Sequence, residues 1–297
     1  MYLKKREAMK EVAIMTDDIA TIAPEMAQKF GIRIIPYHVV IDGKDYLDTE
    51  IDMGRLYARL RRKENLPTTA PPNTREILDA YHELSQRAKA IIHISMTSVF
   101  TAQCQAATQA KEIASEELPS TTIEIIDSQT VGPGQLLITL EAAKAITQGK
   151  NIKEIIKLVN QMILKINLLD IRDTLFYLDK GGRIFEAKPW AEAEQASSFR
   201  TITEIDASTG GKTKPMARAK TKNQVMRKMV DIARERVGNK RLHAAISHAN
   251  VPEQAEQLRK MVLSRFQCDE LYVNEVPATI AVHNGEGLIE FGFYGSD

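Results

Sequence analysis

Four hydroxyl side chains lie within seven residues of this sequence, at Ser95, Thr97, Ser98 and Thr101. They follow a short apolar run at residues 91–94, which has the length of a buried strand, and they precede an alanine-rich helical stretch. In open α/β sheets, a turn between strand and helix lies where ligands bind, beyond the carboxyl ends of the strands. Helix-start N–H groups favour an anion at such a place. The segment therefore predicts an anion-binding site, and capping of the helix by these hydroxyls is the alternative.

Two further hydroxyls, Thr68 and Thr69, lie in a connection that carries three prolines between residues 66 and 74. Proline fixes φ and reduces the entropy lost on ordering, so this loop can hold its hydroxyls still. The alternative is that Thr69 satisfies its own backbone. Near the end of the chain, His283 offers a hydrogen-bond donor when it is protonated, or it is a strand-end histidine bonded to backbone.

The sequence lacks the motifs of common catalytic and metal sites. It has no Walker-type phosphate loop, no Gly-x-Ser-x-Gly elbow and no cluster of metal ligands. The acidic pair Asp17-Asp18 follows a strand, where a turn or a cap for the next helix is its expected role. We therefore predict no catalytic residue, no metal site and no cofactor. The alternative is a small-molecule phosphotransferase or hydrolase that uses Asp17, Asp18, Asp127 or His283.

Charge and composition argue against several classes of protein. Forty basic and 39 acidic residues nearly cancel, which argues against nucleic acid or an anionic membrane as a partner. Cys104 and Cys268 have neither metal-ligand nor disulfide spacing, which fits a reducing compartment. No apolar run approaches the roughly 20 residues of a membrane span, and the charged start lacks the apolar region of a signal peptide. We expect a cytoplasmic protein, in which Met9 could be the true start after an extension of residues 1–8.

Repeated strand–loop–helix units must position these side chains. This alternation predicts a parallel, doubly wound sheet in the first part of the chain, with its polar loops gathered at one edge. The Asp42-Gly43 pair predicts a hairpin turn, and His93, inside an apolar run, is expected to be structural. The strand-like segments are residues 12–15, 32–40, 91–94 and 122–126.

The pattern changes near residue 165, where short strands begin to flank the Gly210-Gly211 turn. We predict two α/β domains, residues 1–165 and residues 166–297, the second with a mixed sheet. The apolar stripe at residues 163–178 is either core or the wall of a tunnel, because periodicity cannot distinguish the two. In the second domain we predict helices at residues 223–237 and 252–266, and strands at residues 242–247, 271–276, 279–283 and 288–294.

Taken together, the ordered loops resemble those of the DegV family of fatty-acid-binding proteins. The resemblance runs from Val12 to Phe293 and rests on the segments TDD, IPYHVVIDGKDYLD, PTTAPP, ISMTSVFTAQCQAA, IIDSQTVGPGQ, YLDKGGRI and HNGEG. It implies a two-domain DegV-like α/β fold with a lipid site between the domains. It also implies a binding subunit of bacterial fatty acid kinase, which sequesters a long-chain fatty acid and presents its carboxylate to a separate ATP-dependent kinase.

The resemblance also assigns roles to individual residues. Thr69 and Ser95 match hydroxyl positions of the family's carboxylate site, and His283 matches the histidine of its His-x-Gly-Pro-Gly loop. Arg183, displayed after two glycines, matches a position that contacts the kinase or its phosphate, where a fork-shaped donor suits an anion; an ordinary exposed arginine is the alternative. The predicted carboxylate-binding residues are Thr68, Thr69, Ser95, Thr97, Ser98 and His283, with backbone N–H groups near residues 97–99.

Three functions remain open on the sequence. The first is a monomeric carrier with a fatty acid and a kinase as its partners and no catalytic residue of its own. The second is the enzyme described above. The third is a binding protein for another apolar acid or lipid, which is plausible because Met96, Val99 and Phe100 stand where the family has polar or small residues.

Overall fold

The computed structural model describes residues 10–196 and 199–296, so the predicted extension at residues 1–8 lies outside the described residues. The strands are β1 Lys10–Asp17, β2 Arg33–Ile35, β3 His38–Ile41, β4 Lys44–Leu47, β5 Thr68–Ala70, β6 Ala88–Ser95, β7 Thr122–Asp127, β8 Asn167–Ile171, β9 Arg200–Glu204, β10 Lys214–Ala219, β11 Arg241–His248, β12 Cys268–Glu275 and β13 Ile289–Ser296. The helices are α1 Pro24–Phe30, α2 Met53–Leu60, α3 Thr74–Ser85, α4 Gln103–Glu117, α5 Gly132–Thr147, α6 Ile152–Lys165, α7 Phe176–Lys180, α8 Lys188–Ala196, α9 Lys222–Val237, α10 Pro252–Arg265 and α11 Ala278–Asn284.

A four-stranded parallel sheet with the order β2-β1-β6-β7 forms the first layer. Successive residues of β6 point to opposite faces, and each face is covered by helices. Ile91 packs into a cluster with residues of α3 and α4, whereas Ile92 packs into a cluster with residues of α5 and α6. Burial on both faces explains the continuous apolar run in the sequence, and the predicted doubly wound sheet is confirmed.

A six-stranded mixed sheet with the order β10-β9-β8-β13-β11-β12 forms the second layer, as predicted. Its only parallel pair among the described residues is β11 with β12. Helices α9 and α10 pack on one face of this sheet, and α5 packs on the other.

Helix α5 lies between the two sheets, since it contacts β13 and β11 as well as β1. Twelve of its 16 residues are buried, which is the pattern of a helix that is covered on all sides. Its first turn approaches β13 closely: a Cβ on Gly292 would lie 2.7 Å from the Pro133 carbonyl carbon, so a side chain there would separate the two.

A small antiparallel sheet with the order β4-β3-β5 completes the structure. The predicted hairpin is present, with Asp42 and Gly43 at φ angles of 52° and 75°. The connection that we predicted to be a loop contains β5, which pairs Thr69 with Val39. A segment of three residues, in which polar and apolar side chains alternate only weakly, is too short to be recognised as a strand when its partner strand is not known.

The segment predicted as a strand at residues 279–283 is the helix α11, so that prediction was wrong. Its first N–H groups, those of Ala278 and Thr279, donate to the carboxylate of Asp48 at 3.0 and 2.6 Å. Periodicity does not distinguish a short apolar strand from a short buried helix. The acceptor that satisfies the helix start comes from a distant part of the chain, so local sequence could not reveal it.

Candidate ligand-binding cavity

A cavity of about 70 Å³ lies between the first sheet and the mixed sheet, at the edge where the polar loops gather. Its walls come from residues 19–131 on one side and residues 172–290 on the other. Part of the wall is apolar, and this part includes Ile19, Met96, Phe100, Leu178 and Ile280. The remainder carries hydroxyls, a histidine, two arginines and a carboxyl group, so the cavity is suited to an amphipathic molecule.

Thr69 and His283 meet in this wall, where Thr69 Oγ1 lies 2.7 Å from His283 Nε2. Strand β5 positions the threonine, and the last turn of α11 positions the histidine. The opposite side of the ring rests on Gly181, where a Cβ would lie 2.5 Å from Nδ1, so this position requires glycine. Of the six predicted carboxylate-binding residues, these two line the cavity.

The imidazole of His283 is neutral near pH 7. Burial, with a further contribution from the positive charge of Arg183, lowers its pKa to about 4. A neutral imidazole still donates one hydrogen bond, from the nitrogen that carries its hydrogen. A neutral ring that carries its hydrogen on Nε2 donates to Thr69 and leaves the threonine O–H free for a ligand oxygen.

Arg183 also lines the cavity, whereas the sequence placed it outside, on an exposed turn. Its Nε and Nη2 donate to the Phe100 carbonyl at 3.2 and 3.1 Å, and its Nη1 donates to the Gly181 carbonyl. Burial lowers its pKa, and no carboxylate of the described residues forms an ion pair with it. The cavity wall thus contains a partly buried cation that has no anionic partner among those residues. Its contact with a kinase stays a prediction.

The other predicted hydroxyls do not reach the cavity. Ser95 is fully buried, and its hydroxyl oxygen lies 3.1 Å from each of two acceptors, the Met96 carbonyl oxygen and Gln103 Oε1. Thr97 is buried against Gly211, where an added Cβ would lie 2.1 Å from Thr97 Oγ1. Thr68 and Ser98 are exposed.

Backbone N–H groups near residues 97–99 are also largely engaged elsewhere. The N–H of Thr97 donates to the Thr130 carbonyl at 2.9 Å, and that of Ser98 donates to Asp127 at 3.2 Å. The alternative interpretation, that residues 95–98 cap helix α4, is also wrong. The N-cap residue of α4 is Ala102, and no side-chain hydrogen bond caps the helix.

Tyr37 and Thr101 line the cavity, and neither was among our predicted site residues. The Tyr37 O–H donates to Gln103 Oε1 at 2.8 Å, and its oxygen lies 3.0 Å from Thr101 Oγ1. Behind them, His93 lies inside β6 as expected, with Nδ1 2.9 Å from the Tyr81 hydroxyl. Burial lowers the pKa of His93 to about 4, so it is a neutral structural histidine. The dense hydroxyls of residues 95–101 did signal Thr101, but nothing local signalled Tyr37.

A further part of the cavity wall is polar and almost fully buried, and it is formed by Arg172, Asn284 and Glu290. Arg172 donates from Nε to Asn284 Oδ1 at 2.6 Å and from Nη1 to Asp170 and Thr203. Glu290 lies beside it, and burial together with the charge of Asp170 raises the pKa of Glu290 to about 8. Near pH 7 this carboxyl group is therefore mostly protonated. The sequence analysis did not identify these residues, which lie in apolar-looking segments.

The acidic residues proposed for an enzyme order loops instead. Asp17 accepts the N–H of Met96 at 3.0 Å, and Asp18 accepts the N–H of Tyr37 at 2.9 Å. Asp127 accepts the N–H of Gln129 in the turn that follows it and the N–H of Ser98 in the loop after β6. None of the three lines the cavity. Of the two roles expected for this pair, the turn is present as the short 3-10 helix Asp18–Ala20, whereas capping of α1 is wrong, since Ala23 is its N-cap.

One cluster in the described residues has ligand types that could hold a metal, namely Glu141, His243 and Glu270, whose ligand atoms lie within 4.8 Å of one another. The Lys144 ammonium donates to both carboxylates, at 2.7 and 2.5 Å. It thereby supplies the positive charge that a metal would bring.

Across residues 10–196 and 199–296, no helix is long and apolar enough to cross a membrane.

Comparison with known proteins identifies relatives over nearly the whole chain. Residues 11–295 match the model of a family described as uncharacterised proteins of the DegV family. A DegV domain-containing protein of Clostridium perfringens is 27% identical over 275 residues, which cover 92% of this chain and 95% of that protein. One from Caldanaerobacter subterraneus is 30% identical over 177 residues, 59% of this chain and 61% of the relative.

Solved structures show the same fold. A DegV family protein from Thermus thermophilus, described by its fatty acid binding, superposes with a TM-score of 0.87 at 22% identity and covers 96% of this chain and 100% of its own. A stearic-acid-binding protein from Eubacterium ventriosum gives a TM-score of 0.86 at 18% identity, with 96% and 98% coverage. A fatty-acid-binding DegV protein from Bacillus subtilis gives 0.81 at 24% identity, with 97% and 100% coverage.

Proposed function

The chain belongs to the DegV family, and on this premise we propose that it binds a long-chain fatty acid in the cavity between its sheets. One observation carries the proposal: Arg183 lies in the cavity wall without a carboxylate partner among the described residues, close to the Thr69–His283 pair. A buried or half-buried charge is costly unless it is paired, so this cation favours an anionic ligand. The fatty acid binding described for structures of the same fold supports the same class of ligand.

The chemistry of a fatty acid fits both parts of the wall. Its carboxylate would accept hydrogen bonds from Arg183 and from the Thr69 hydroxyl, and charge-assisted bonds of this kind are the strong ones. Its tail would lie against Met96, Leu178 and Ile280, where each buried CH₂ contributes about 0.8 kcal/mol. The cavity of about 70 Å³ is small for a long acyl chain. We therefore propose that Phe100 and Arg183, which are only partly buried, move apart when the ligand enters.

We further propose that the protein is a carrier that presents the carboxylate to a separate kinase and has no catalytic residue of its own. The family resemblance supports this role. The division into residues 1–165 and 166–297 is part of the same proposal, since no described strand before residue 128 pairs with the mixed sheet. The enzyme alternative is weaker, because His283 is the one residue of its four named groups that lines the cavity.

The test is a binding measurement on matched threonine variants. Organic extraction and mass spectrometry of the purified protein should yield a stoichiometric acyl acid. After delipidation, titration with a fluorescent fatty acid should show weaker binding to Thr69→Val, while Thr68→Val, with the same change at an exposed neighbour, should bind like the original protein. Absence of any bound acid, together with no rise in melting temperature on adding fatty acids, would contradict the proposal.

A further inference from the structure

Glu290 places an ionisable group in the same cavity wall as the proposed carboxylate site. Its side chain is 2% exposed, and it lines the cavity together with Thr69, His283 and Arg183. Its Oε2 is buried without a partner among the described residues. Because the cavity measures only about 70 Å³, a ligand carboxylate held by Arg183 and Thr69 would lie close to Glu290. The charge of Glu290 must therefore affect the binding of an anion.

The surroundings of Glu290 hold too little positive charge for two ionised carboxyl groups. Asp170 lies directly opposite Glu290 in the register of β8 and β13, and it is also fully buried. Arg172 Nη1 donates to Asp170 and Thr203, and its Nε donates to Asn284. In the described part of the chain, no hydrogen bond joins Arg172 to Glu290. One guanidinium thus serves two buried carboxyl groups, and the set is electrically neutral when one of them keeps its proton.

Other elements packed against Glu290 bring no charged side chain to it within the described residues. Strand β11 pairs Ser247 with Glu290, and the first turn of α5 approaches through the backbone of Gly132. Burial and the charge of Asp170 oppose ionisation of Glu290, Arg172 favours it, and the resulting pKa is about 8. Burial raises the pKa of Asp170 as well, but the charge of Arg172 counteracts that change. The proton therefore belongs to Glu290.

We propose that Glu290 makes ligand binding depend on a proton: the cavity accepts an acyl carboxylate while Glu290 is neutral and binds it more weakly once Glu290 is ionised. This inference rests on the proposed function, since it takes the ligand to be a carboxylate held near Arg183 and Thr69. It adds a residue that determines which charge the cavity accepts. Two unit charges about 10 Å apart, at an effective dielectric constant of about 20, change an affinity by roughly tenfold. Because linkage is reciprocal, the bound carboxylate raises the pKa of Glu290 by about one unit.

The experiment measures proton uptake during binding. Tetradecanoic acid, below its aggregation concentration, is titrated calorimetrically into the delipidated full chain at pH 8.5, in two buffers with different ionisation enthalpies. If the pKa of Glu290 rises on binding from about 8 to about 9, the protein takes up roughly half a proton per ligand. Affinity for the acid should also fall by roughly fivefold to tenfold between pH 7 and pH 9.5. Methyl tetradecanoate, which has the same tail and no charge, should bind without proton uptake and with the same affinity at both pH values.

Two variants assign the proton. Glu290→Gln keeps the size of the side chain and removes the titrating group, so acid binding should take up no proton and should not weaken between pH 7 and pH 9.5. Glu275→Gln, the same change at an exposed residue outside the cavity, should behave as the unaltered protein does. If Glu290→Gln does not fold, the difference in proton uptake between acid and ester on the unaltered chain decides.

The outcomes separate this inference from the proposed function. Acid binding without proton uptake, and with equal affinity at pH 7 and pH 9.5, overturns the inference and leaves the proposed function standing. Proton uptake that persists in Glu290→Gln overturns it as well, because another group would then titrate. Failure of the acid to bind at pH 7 overturns both.

Discussion

Replacing Arg183 by methionine tests the headgroup assignment most directly. Methionine keeps an unbranched apolar stem but removes the guanidinium, which donates to the Phe100 and Gly181 carbonyls and has no carboxylate partner among the described residues. In the complex it would lose a hydrogen bond to a charged group, worth about 1.5–3 kcal/mol. Affinity for a fatty acid should therefore fall by roughly tenfold to a hundredfold.

The assay is titration of delipidated protein with a fatty acid and, separately, with its methyl ester, which has the same tail and no charge. Arg183→Met should lose affinity for the acid and bind the ester much as the unaltered protein does. Arg75→Met is the matched control, because Arg75 is 76% exposed and pairs with Asp79 on the surface of α3. Such surface pairs contribute at most about 1 kcal/mol, and neither Arg75 nor Asp79 lines the cavity.

Two results would refute this reasoning. Unchanged acid affinity in Arg183→Met would return Arg183 to the partner-docking role that the sequence predicted. An equal loss for acid and ester would show that the side chain supports the cavity by packing, as long charged side chains can.

Further predictions concern Ser95 and Glu290. Ser95→Ala should lower the free energy of unfolding by about 1 kcal/mol, because the Ser95 hydroxyl donates to Gln103, yet leave fatty acid affinity within about twofold. Urea unfolding and ligand titration check both parts, and an affinity loss as large as that of Thr69→Val would contradict the geometry. Glu290 has its pKa raised from 4.5 to about 8, so the folded state holds a proton that the unfolded state releases. Its stability contribution is therefore full below about pH 4.5 and falls as pH rises towards 8, by up to about 1.4 kcal/mol per pH unit. Relative to the unaltered protein, Glu290→Gln should therefore gain stability between pH 5 and pH 7.5, which urea unfolding at the two pH values measures. If the urea midpoints of both proteins change by the same amount between these pH values, Glu290 does not titrate in this way.

Much of the fold was predictable because its signals are local. Asn73 and Asn151 cap α3 and α6 through the capping-box spacing that the sequence displays. The Asp42-Gly43 pair specifies its hairpin, since both residues must adopt positive φ. Apolar runs of strand length gave the parallel sheet because both faces are buried under helices.

The candidate site was only partly predictable. Thr69 and His283 were identified through the family resemblance, but the same resemblance also suggested Ser95, whose hydroxyl is turned to Gln103. Hydroxyl density marks a loop near a sheet edge. It does not determine which oxygens face a cavity and which satisfy the protein's own polar groups.

By itself, the sequence determined the order and type of most elements, the parallel and mixed sheets, and the edge at which polar loops gather, because propensity, periodicity and turn chemistry act over a few residues. Tertiary structure alone decided that the carboxylate of Asp48 accepts the first N–H groups of helix α11, and that Arg183, Arg172 and Glu290 all line the cavity. Each of these depends on which distant segments meet and on what burial does to a charge once water is excluded. Those are properties of the packed chain, so no local pattern could contain them.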